Sequence, residues 1–208
     1  KKIAWRPRLF FTSGAKNVVL HGVLACNSYS WTIHPTYSEN VDILNIRIRN
    51  SSQSPNTDGI DPESCKNVNI IGNHVHVGDD CIALKSSKLF LGMKLHVPCE
   101  NVIIRNCHIY QSPTYIEHRK ADRTEPFFTS EYENARRGAQ PVTNYGAIVN
   151  VWTAIAIKGT NITVENNVIE GGGDCLCIMG AQNCLIRNNI MVGGDMAGCL
   201  SFQTTLVS

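Results

Sequence analysis

The chain has 208 residues, of which 43% are hydrophobic and 17% are charged, and its formal net charge is +2. This length supports one sizeable core, and the composition is too apolar for a disordered chain. The small net charge argues against nucleic acid as a partner, and no apolar run approaches the ~20 residues that a membrane helix requires. We therefore expect one domain over residues 1–208, a monomer that binds neither nucleic acid nor membrane.

The cysteines carry information about packing. The chain has nine of them, and five lie inside apolar alternations, which predicts buried hydrophobic side chains. These five are Cys81, Cys107, Cys175, Cys184 and Cys199. One or two disulfides remain an alternative that would favour an exported protein. No apolar stretch follows Lys1–Pro7, so we expect no signal peptide within this chain.

A short phrase recurs along the whole chain. Each copy begins with Asn and continues as an alternating apolar strand, a small polar corner and a second strand. The copies begin at Asn17, Asn40, Asn67, Asn101, Asn161 and Asn183. A second series of phrases between them, such as Asp80-Cys-Ile-Ala-Leu, adds a third strand to each unit. Because the shortest spacing between copies is 22 residues, the pattern predicts an all-β chain folded as a right-handed parallel β-helix.

Two other repeat or sheet architectures fit the pattern less well. A sandwich or barrel would use Asp-Gly as a hairpin turn, whereas Asp58-Gly59 opens a strand. Leucine-rich repeats have a similar period but a denser leucine framework. Within a β-helix, the recurring Asn residues would occupy equivalent corners, where Asn tolerates left-handed backbone conformations and can form a ladder of hydrogen bonds.

The repeat is interrupted once. Residues from about 112 to 150 are charged and lack the strand phrase. We interpret this segment as an irregular insertion with a short helix near Ser130 to Arg137, either functional or a solvated loop.

Three acids lie in two similar frames. Asp58 and Asp80 are 22 residues apart, and Asp79 precedes Asp80. One coil of the predicted β-helix would bring Asp58 and Asp80 to neighbouring rungs, roughly 4.8 Å apart. Like charges this close raise the pKa of one carboxyl, which is what a general acid for cleaving a glycosidic bond needs. Turn capping and calcium binding by the same acids are the alternatives.

Several phrases together resemble glycoside hydrolase family 28, the polygalacturonases and related pectin hydrolases. They are Arg6-Pro7, Trp31-Thr-Ile-His-Pro35, Asn56-Thr-Asp-Gly-Ile-Asp-Pro62 and Gly78-Asp-Asp-Cys-Ile-Ala-Leu-Lys-Ser86. The resemblance implies inverting hydrolysis of α-linked galacturonic acid. It implies Asp79 as the general acid, with Asp58 and Asp80 activating the attacking water.

The chain departs from the family pattern at two motifs. The family's Gly-His-Gly is absent, and Gln111-Ser-Pro-Thr114 stands near its place. The family's Arg-Ile-Lys, which holds the substrate carboxylate, reads Ala156-Ile-Lys158 here. The candidate substrate-binding residues are therefore Lys158, His118, Arg119 and Asn56. Arg119, Lys120 or Arg123 in the insertion would substitute for the missing arginine.

The resemblance implies a hydrolase of pectin-like polysaccharide that uses no cofactor and no metal and is secreted or periplasmic. The family domain is longer, so we expect a fragment or a shortened relative. A carbohydrate-binding or structural β-helix without turnover is one alternative. A β-eliminating lyase, which would need calcium and a basic residue, is the other.

Overall fold

A computed structural model describes residues 6–52, 54–86, 94–112, 114–115, 148–149, 153–193 and 198–203. These residues form β-strands joined by short corners, and none of their helical segments is long and apolar enough to cross a membrane. The strands are β1 Phe10–Ser13, β2 Lys16–His21, β3 Leu24–Cys26, β4 Ile33–Thr36, β5 Glu39–Leu44, β6 Arg47–Arg49, β7 Lys66–Ile71, β8 His74–Val77, β9 Ile82–Ala83, β10 Glu100–Arg105, β11 His108–Gln111, β12 Thr114–Tyr115, β13 Ile148–Val149, β14 Thr153–Ile157, β15 Thr160–Glu165, β16 Val168–Gly171, β17 Asp174–Met179, β18 Gln182–Arg187, β19 Ile190–Val192 and β20 Gly198–Gln203.

The strands form three parallel sheets. The first has the order β18-β15-β10-β7-β5-β2, and the second has the order β19-β16-β11-β8-β6-β3. The third sheet contains β1-β4 and β20-β17-β14-β9, which are joined through parallel bridges of Ile60 to Ile33 and to Ile82. Every coil supplies each sheet with its next strand, so the fold is a right-handed parallel β-helix, as the repeat predicts.

Side chains of equivalent residues stack inside the helix. Ile43, Ile70 and Ile104 follow one another in register on β5, β7 and β10, and each is at most 1% exposed. Burying an isoleucine contributes about 1.5–3 kcal/mol, so a column of them stabilises every coil against its neighbours. The alternation of buried and partly exposed residues along these strands is the period-two pattern seen in the sequence.

The recurring Asn residues form the predicted ladder. Each has a left-handed φ between 53° and 58° and is the second residue of a strand of the first sheet. Each side-chain amide donates to the carbonyl oxygen of the preceding Asn at 2.9–3.1 Å. The ladder runs through Asn17, Asn40, Asn67, Asn101, Asn161 and Asn183. It fixes one corner of every coil.

All nine cysteines lie within the described residues, and all are free thiols. Cys81, Cys107 and Cys175 are buried as predicted, whereas Cys184 and Cys199 are only partly buried. Cys65 and Cys99 occupy equivalent corners on neighbouring coils, where their thiols donate to the backbone oxygens of Pro35 and Pro62. Burial raises the pKa of Cys65 to about 12 and also raises that of Cys99.

The predicted insertion begins after β11. β10 and β15 pair in register although equivalent residues on them are 60 positions apart. The antiparallel pair of β12 and β13 lies at the two ends of this segment. Its interior, including the expected helix near Ser130 to Arg137, lies outside the described residues.

Candidate active site

The three acids meet on the third sheet. The backbone N–H of Gly59 donates to the carbonyl oxygen of Asp80 at 3.0 Å, so Asp58 and Asp80 occupy neighbouring rungs, as their spacing predicts. One carboxylate oxygen each from Asp58, Asp79 and Asp80 lies within 4.8 Å of one from each of the others. We call these three residues the carboxyl cluster.

Gly59 allows the two rungs to approach. A Cβ atom at this position would lie 2.4 Å from the carbonyl oxygen of Cys81 and 2.5 Å from Cγ1 of Val75. A backbone oxygen cannot move aside without breaking the rung, so glycine is the residue that fits next to Asp58.

Asp79 is a member of the carboxyl cluster whose pKa is raised. Its Oδ2 accepts from the backbone N–H of Asn56 and its Oδ1 from that of Asp80, both at 2.9 Å. Burial, followed by the negative charges of Asp58 and Asp80, raises the pKa of Asp79 well above its ordinary value and outweighs these hydrogen bonds. A buried, protonated carboxyl with fixed orientation is suited to donate its proton to a leaving group.

Asp58 is held by a cation. The Nζ atom of Lys85 lies 3.2 Å from Oδ2 of Asp58 and 2.5 Å from Oδ1 of the fully buried Asp61. Burial alone would lower the pKa of Lys85, but the charges of Asp61, Asp58 and Asp80 raise it above its ordinary value. The ammonium group therefore stays charged and forms an ion pair with Asp58.

The remaining oxygens define where a water molecule could be activated. Oδ1 of Asp80 accepts from the backbone N–H of Thr153 at 3.0 Å. Oδ1 of Asp58 is buried and has no hydrogen-bond partner within the described part of the chain. That oxygen is an acceptor of the carboxyl cluster that no described residue satisfies.

The carboxyl cluster fits a metal ion poorly. Ca²⁺ takes six to eight oxygen ligands, and the cluster is a group of three carboxyls among the described residues. The ammonium group of Lys85 already contacts one of them. The arrangement therefore favours proton transfer over cation binding.

The candidate substrate-binding residues have different surroundings. Asn56 is exposed, and its side-chain oxygen accepts from Nη2 of Arg6 at 2.7 Å while its backbone orients Asp79. Lys158 is half-buried and follows β14 at the position in register with Lys85. His118 and Arg119 lie outside the described residues.

The family motif positions that differ in sequence also differ in structure. At the place expected for Gly-His-Gly, Nε2 of Gln111 donates to the backbone oxygen of Gly78 at 2.9 Å. Ala156, which replaces the arginine of the carboxylate clamp, is 4% exposed. Neither position offers a cation or an imidazole to a substrate.

Sequence reasoning missed Lys85, Asp61 and Trp31 as parts of the site. The ring of Trp31 lies 4.4 Å from Nζ of Lys85, so Trp31 extends the site to the preceding coil. The sequence did contain a signal for these residues, because they lie in the same repeated phrases as the acids. Trp31 opens the phrase that aligns with Asp58-Gly-Ile-Asp61, and Lys85 ends the phrase that contains Asp80.

The fold and the carboxyl cluster together define an all-β repeat protein of the parallel β-helix class, with three carboxyls converging on one of its three sheets. The chain belongs to glycosyl hydrolases family 28, whose model matches residues 1–110.

A probable polygalacturonase of Vitis vinifera is 38% identical over 100 residues, which cover 48% of this chain and 20% of the relative. An exopolygalacturonase of Thermotoga maritima aligns with a TM-score of 0.57 at 26% identity, covering 84% of this chain and 36% of the other. The family 28 exopolygalacturonase of Yersinia enterocolitica shares the fold with a TM-score of 0.63 at 20% identity, covering 90% and 29%. This chain thus spans about a fifth of the length of the curated relative it matches.

Proposed function

We propose that this chain carries the catalytic wall of a glycoside hydrolase that cleaves the galacturonate backbone of pectin-like polysaccharide. The observation that carries the proposal is the contrast within the carboxyl cluster. Burial and the neighbouring charges raise the pKa of Asp79, while the ammonium group of Lys85 contacts Asp58 at 3.2 Å. A carboxyl that holds its proton more tightly than usual, beside a second carboxyl that is paired with a cation, is the equipment for hydrolysing a glycosidic bond.

In the proposed mechanism, Asp79 donates its proton to the glycosidic oxygen. Asp58 and Asp80 accept a proton from water as it attacks the anomeric carbon. The chain's own contacts support water rather than a carboxylate as the nucleophile, because Lys85 occupies one oxygen of Asp58 and the Thr153 N–H one oxygen of Asp80. Each contact lowers the nucleophilicity of the carboxylate it touches.

Inversion follows from direct attack by water. The oxygens of the carboxyl cluster lie within 4.8 Å of one another, which is closer than the ~6.5–9.5 Å usual between carboxyls of inverting enzymes. The distance between the carboxyls therefore does not support inversion. The proposal of inversion depends instead on the contacts that already occupy one oxygen each of Asp58 and Asp80.

Proton NMR of the first product anomer tests the proposal of inversion. We expect a β-anomer from an α-linked substrate, and an α-anomer would indicate a covalent intermediate.

Hydrolysis itself is tested by incubating the protein with polygalacturonate and measuring reducing sugar. We expect release by the wild type and loss of at least about 10²-fold in Asp79→Asn, the usual contribution of a general acid. Asp42→Asn is the matched control, because Asp42 lies on β5 in the first sheet and bonds to Asn69 there. No release by the wild type, or equal release by Asp79→Asn, would contradict the proposal.

A second candidate function is polysaccharide binding without turnover. It is favoured by the buried Ala156 at the clamp position and by Gln111 near the missing Gly-His-Gly. Calorimetry with oligogalacturonate would then show binding while no product forms. The lyase alternative predicts unsaturated, ultraviolet-absorbing products whose formation stops on addition of a chelator.

The same proposal includes an exported monomer that has a polysaccharide as its partner, with neither nucleic acid nor membrane. Pectin is a polymer outside the cytoplasm, so an enzyme acting on it would be secreted or periplasmic. Size-exclusion chromatography with light scattering tests the monomer.

A further inference from the structure

An arginine near the start of the third sheet is stacked on two aromatic rings. The Cζ atom of Arg8 lies 5.3 Å from the ring centroid of Phe11 and 5.2 Å from that of Trp31. We call these three residues the Arg8 cluster. Stacking occupies the faces of a guanidinium group and leaves the N–H donors along its edge available for a planar anion.

The Arg8 cluster is a continuation of the wall that carries the acids. Phe11 pairs in register with His34, and Ile33 pairs with Ile60, so Phe11 lies two rungs before Asp61, about 10 Å along the helix axis. Trp31 bridges this distance, because its ring contacts Lys85, which is ion-paired with Asp58. A polymer laid along the third sheet over the carboxyl cluster would reach the Arg8 cluster with a neighbouring sugar.

Arg8 is a permanent, exposed cation of this region. The ring of His34 packs against both aromatic rings, but burial lowers its pKa despite a hydrogen bond with Glu63, so His34 is neutral near neutral pH. The charge of Lys85 is matched by Asp58 and Asp61. Arg8 is exposed, and within the described part of the chain no carboxylate forms an ion pair with it.

We propose that the Arg8 cluster is a binding subsite for a uronate unit of the polymer, in which the edge of Arg8 binds the sugar carboxylate and the exposed face of Phe11 packs against the sugar ring. Phe11 is 52% exposed, which leaves room for that contact. The identity of the polymer rests on the proposed function, while the anion site rests on the geometry alone. The subsite lies on a different coil from Ala156, so it is separate from the clamp position that has lost its arginine.

The test measures binding rather than turnover. Calorimetry is performed with the full chain carrying Asp79→Asn, to prevent cleavage, and with the same chain carrying Arg8→Gln in addition. The probes are an oligogalacturonate and its fully methyl-esterified form, which differs in lacking carboxylate charges. We expect Arg8→Gln to weaken binding of the oligogalacturonate about tenfold or more, the usual effect of losing a charge-assisted hydrogen bond, and to leave binding of the ester unchanged.

Two variants separate this role from a structural one. Arg8→Lys keeps the charge and should lose less affinity than Arg8→Gln. Arg47→Gln removes an exposed arginine from β6 of the second sheet and should bind both probes like the parent. Equal loss for both probes, or unchanged affinity for the oligogalacturonate, would overturn the subsite. If only the proposed hydrolysis is wrong, the result differs: the charged probe binds, but the wild type releases no sugar.

Discussion

Lys85 and Asp58 form an ion pair between neighbouring rungs, with Nζ 3.2 Å from Oδ2, and the Lys85 side chain is only 10% exposed. Asp61, which shares the ammonium group, has no exposed side-chain surface. Burial and the charge of Asp58 raise the pKa of Asp61 well above its ordinary value, and the charge of Lys85 opposes this shift.

Replacing Lys85 by Met should damage both stability and the pH profile. Breaking a buried ion pair costs about 3–5 kcal/mol, and the charge of Lys85 also lowers the pKa of Asp79, so this pKa should rise further when the ammonium group is removed. The basic limb of kcat/KM against pH should therefore move to higher pH. Lys66→Met is the control, because Lys66 pairs with Glu100 at 3.4 Å on the exposed first sheet and its loss should change stability by no more than about 0.5 kcal/mol. An unmoved basic limb in Lys85→Met would contradict the electrostatic coupling of Lys85 to Asp79.

The pKa of Asp79 sets the basic limit of activity. Burial and the charges of Asp58 and Asp80 raise this pKa well above the ordinary value. The acid form is needed for proton donation, so kcat/KM should fall as pH rises through the raised pKa. In Asp80→Asn one of the negative charges is gone, and the basic limb should move to lower pH. Initial rates on polygalacturonate across a pH series measure both limbs, and a basic limb unmoved by Asp80→Asn would argue against Asp79 as the acid.

The same raised pKa makes stability depend on pH. The native state holds the Asp79 proton more tightly than the unfolded chain, so the contribution of Asp79 is full below its ordinary pKa and is lost as pH rises through the raised value. Asp79→Asn carries no titrating group. Its free energy of unfolding relative to the wild type should therefore improve as pH rises, as measured by urea denaturation across the acidic to neutral range. A constant difference would mean that Asp79 titrates alike in both states.

The asparagine ladder should contribute to the free energy of unfolding in two ways, through the left-handed backbone and through the side-chain hydrogen bonds. Asn101 has a φ of 55° and takes part in two ladder hydrogen bonds, at 3.0 Å to Asn67 and 3.1 Å from Asn161. Asn101→Ala should cost about 2 kcal/mol, since it loses both bonds and the short polar side chain that allows Asn to adopt left-handed backbone. Asn101→Gly keeps the backbone free to adopt this φ and should cost less. Urea midpoints at constant m-value give the comparison, and the reverse order would show that the ladder does not act through φ.

The fold and the position of the acids were predictable because they depend on a period. A 22-residue spacing is one coil, so Asp58 and Asp80 had to occupy neighbouring rungs. The Lys85 contacts were not predictable in the same way. Register places Lys85 opposite Glu63, but its long side chain extends across Ala83 to Asp61 and Asp58. A repeat fixes where the backbone of a residue lies, whereas the rotamer of a four-carbon side chain depends on the charges around it.

The thiols of Cys65 and Cys99 provide a way to observe local opening of the coils that carry the acids. Cys65 and Cys99 are buried on neighbouring coils with pKa values raised by burial, so neither forms a thiolate readily in the native state. An alkylating reagent will reach them only when the corners between Pro35 and Cys99 separate. The rate of labelling at Cys65 and Cys99, separated from the other thiols by mass spectrometry of peptides, therefore reports the frequency of local unfolding in the coils that carry the acids, without any engineered probe.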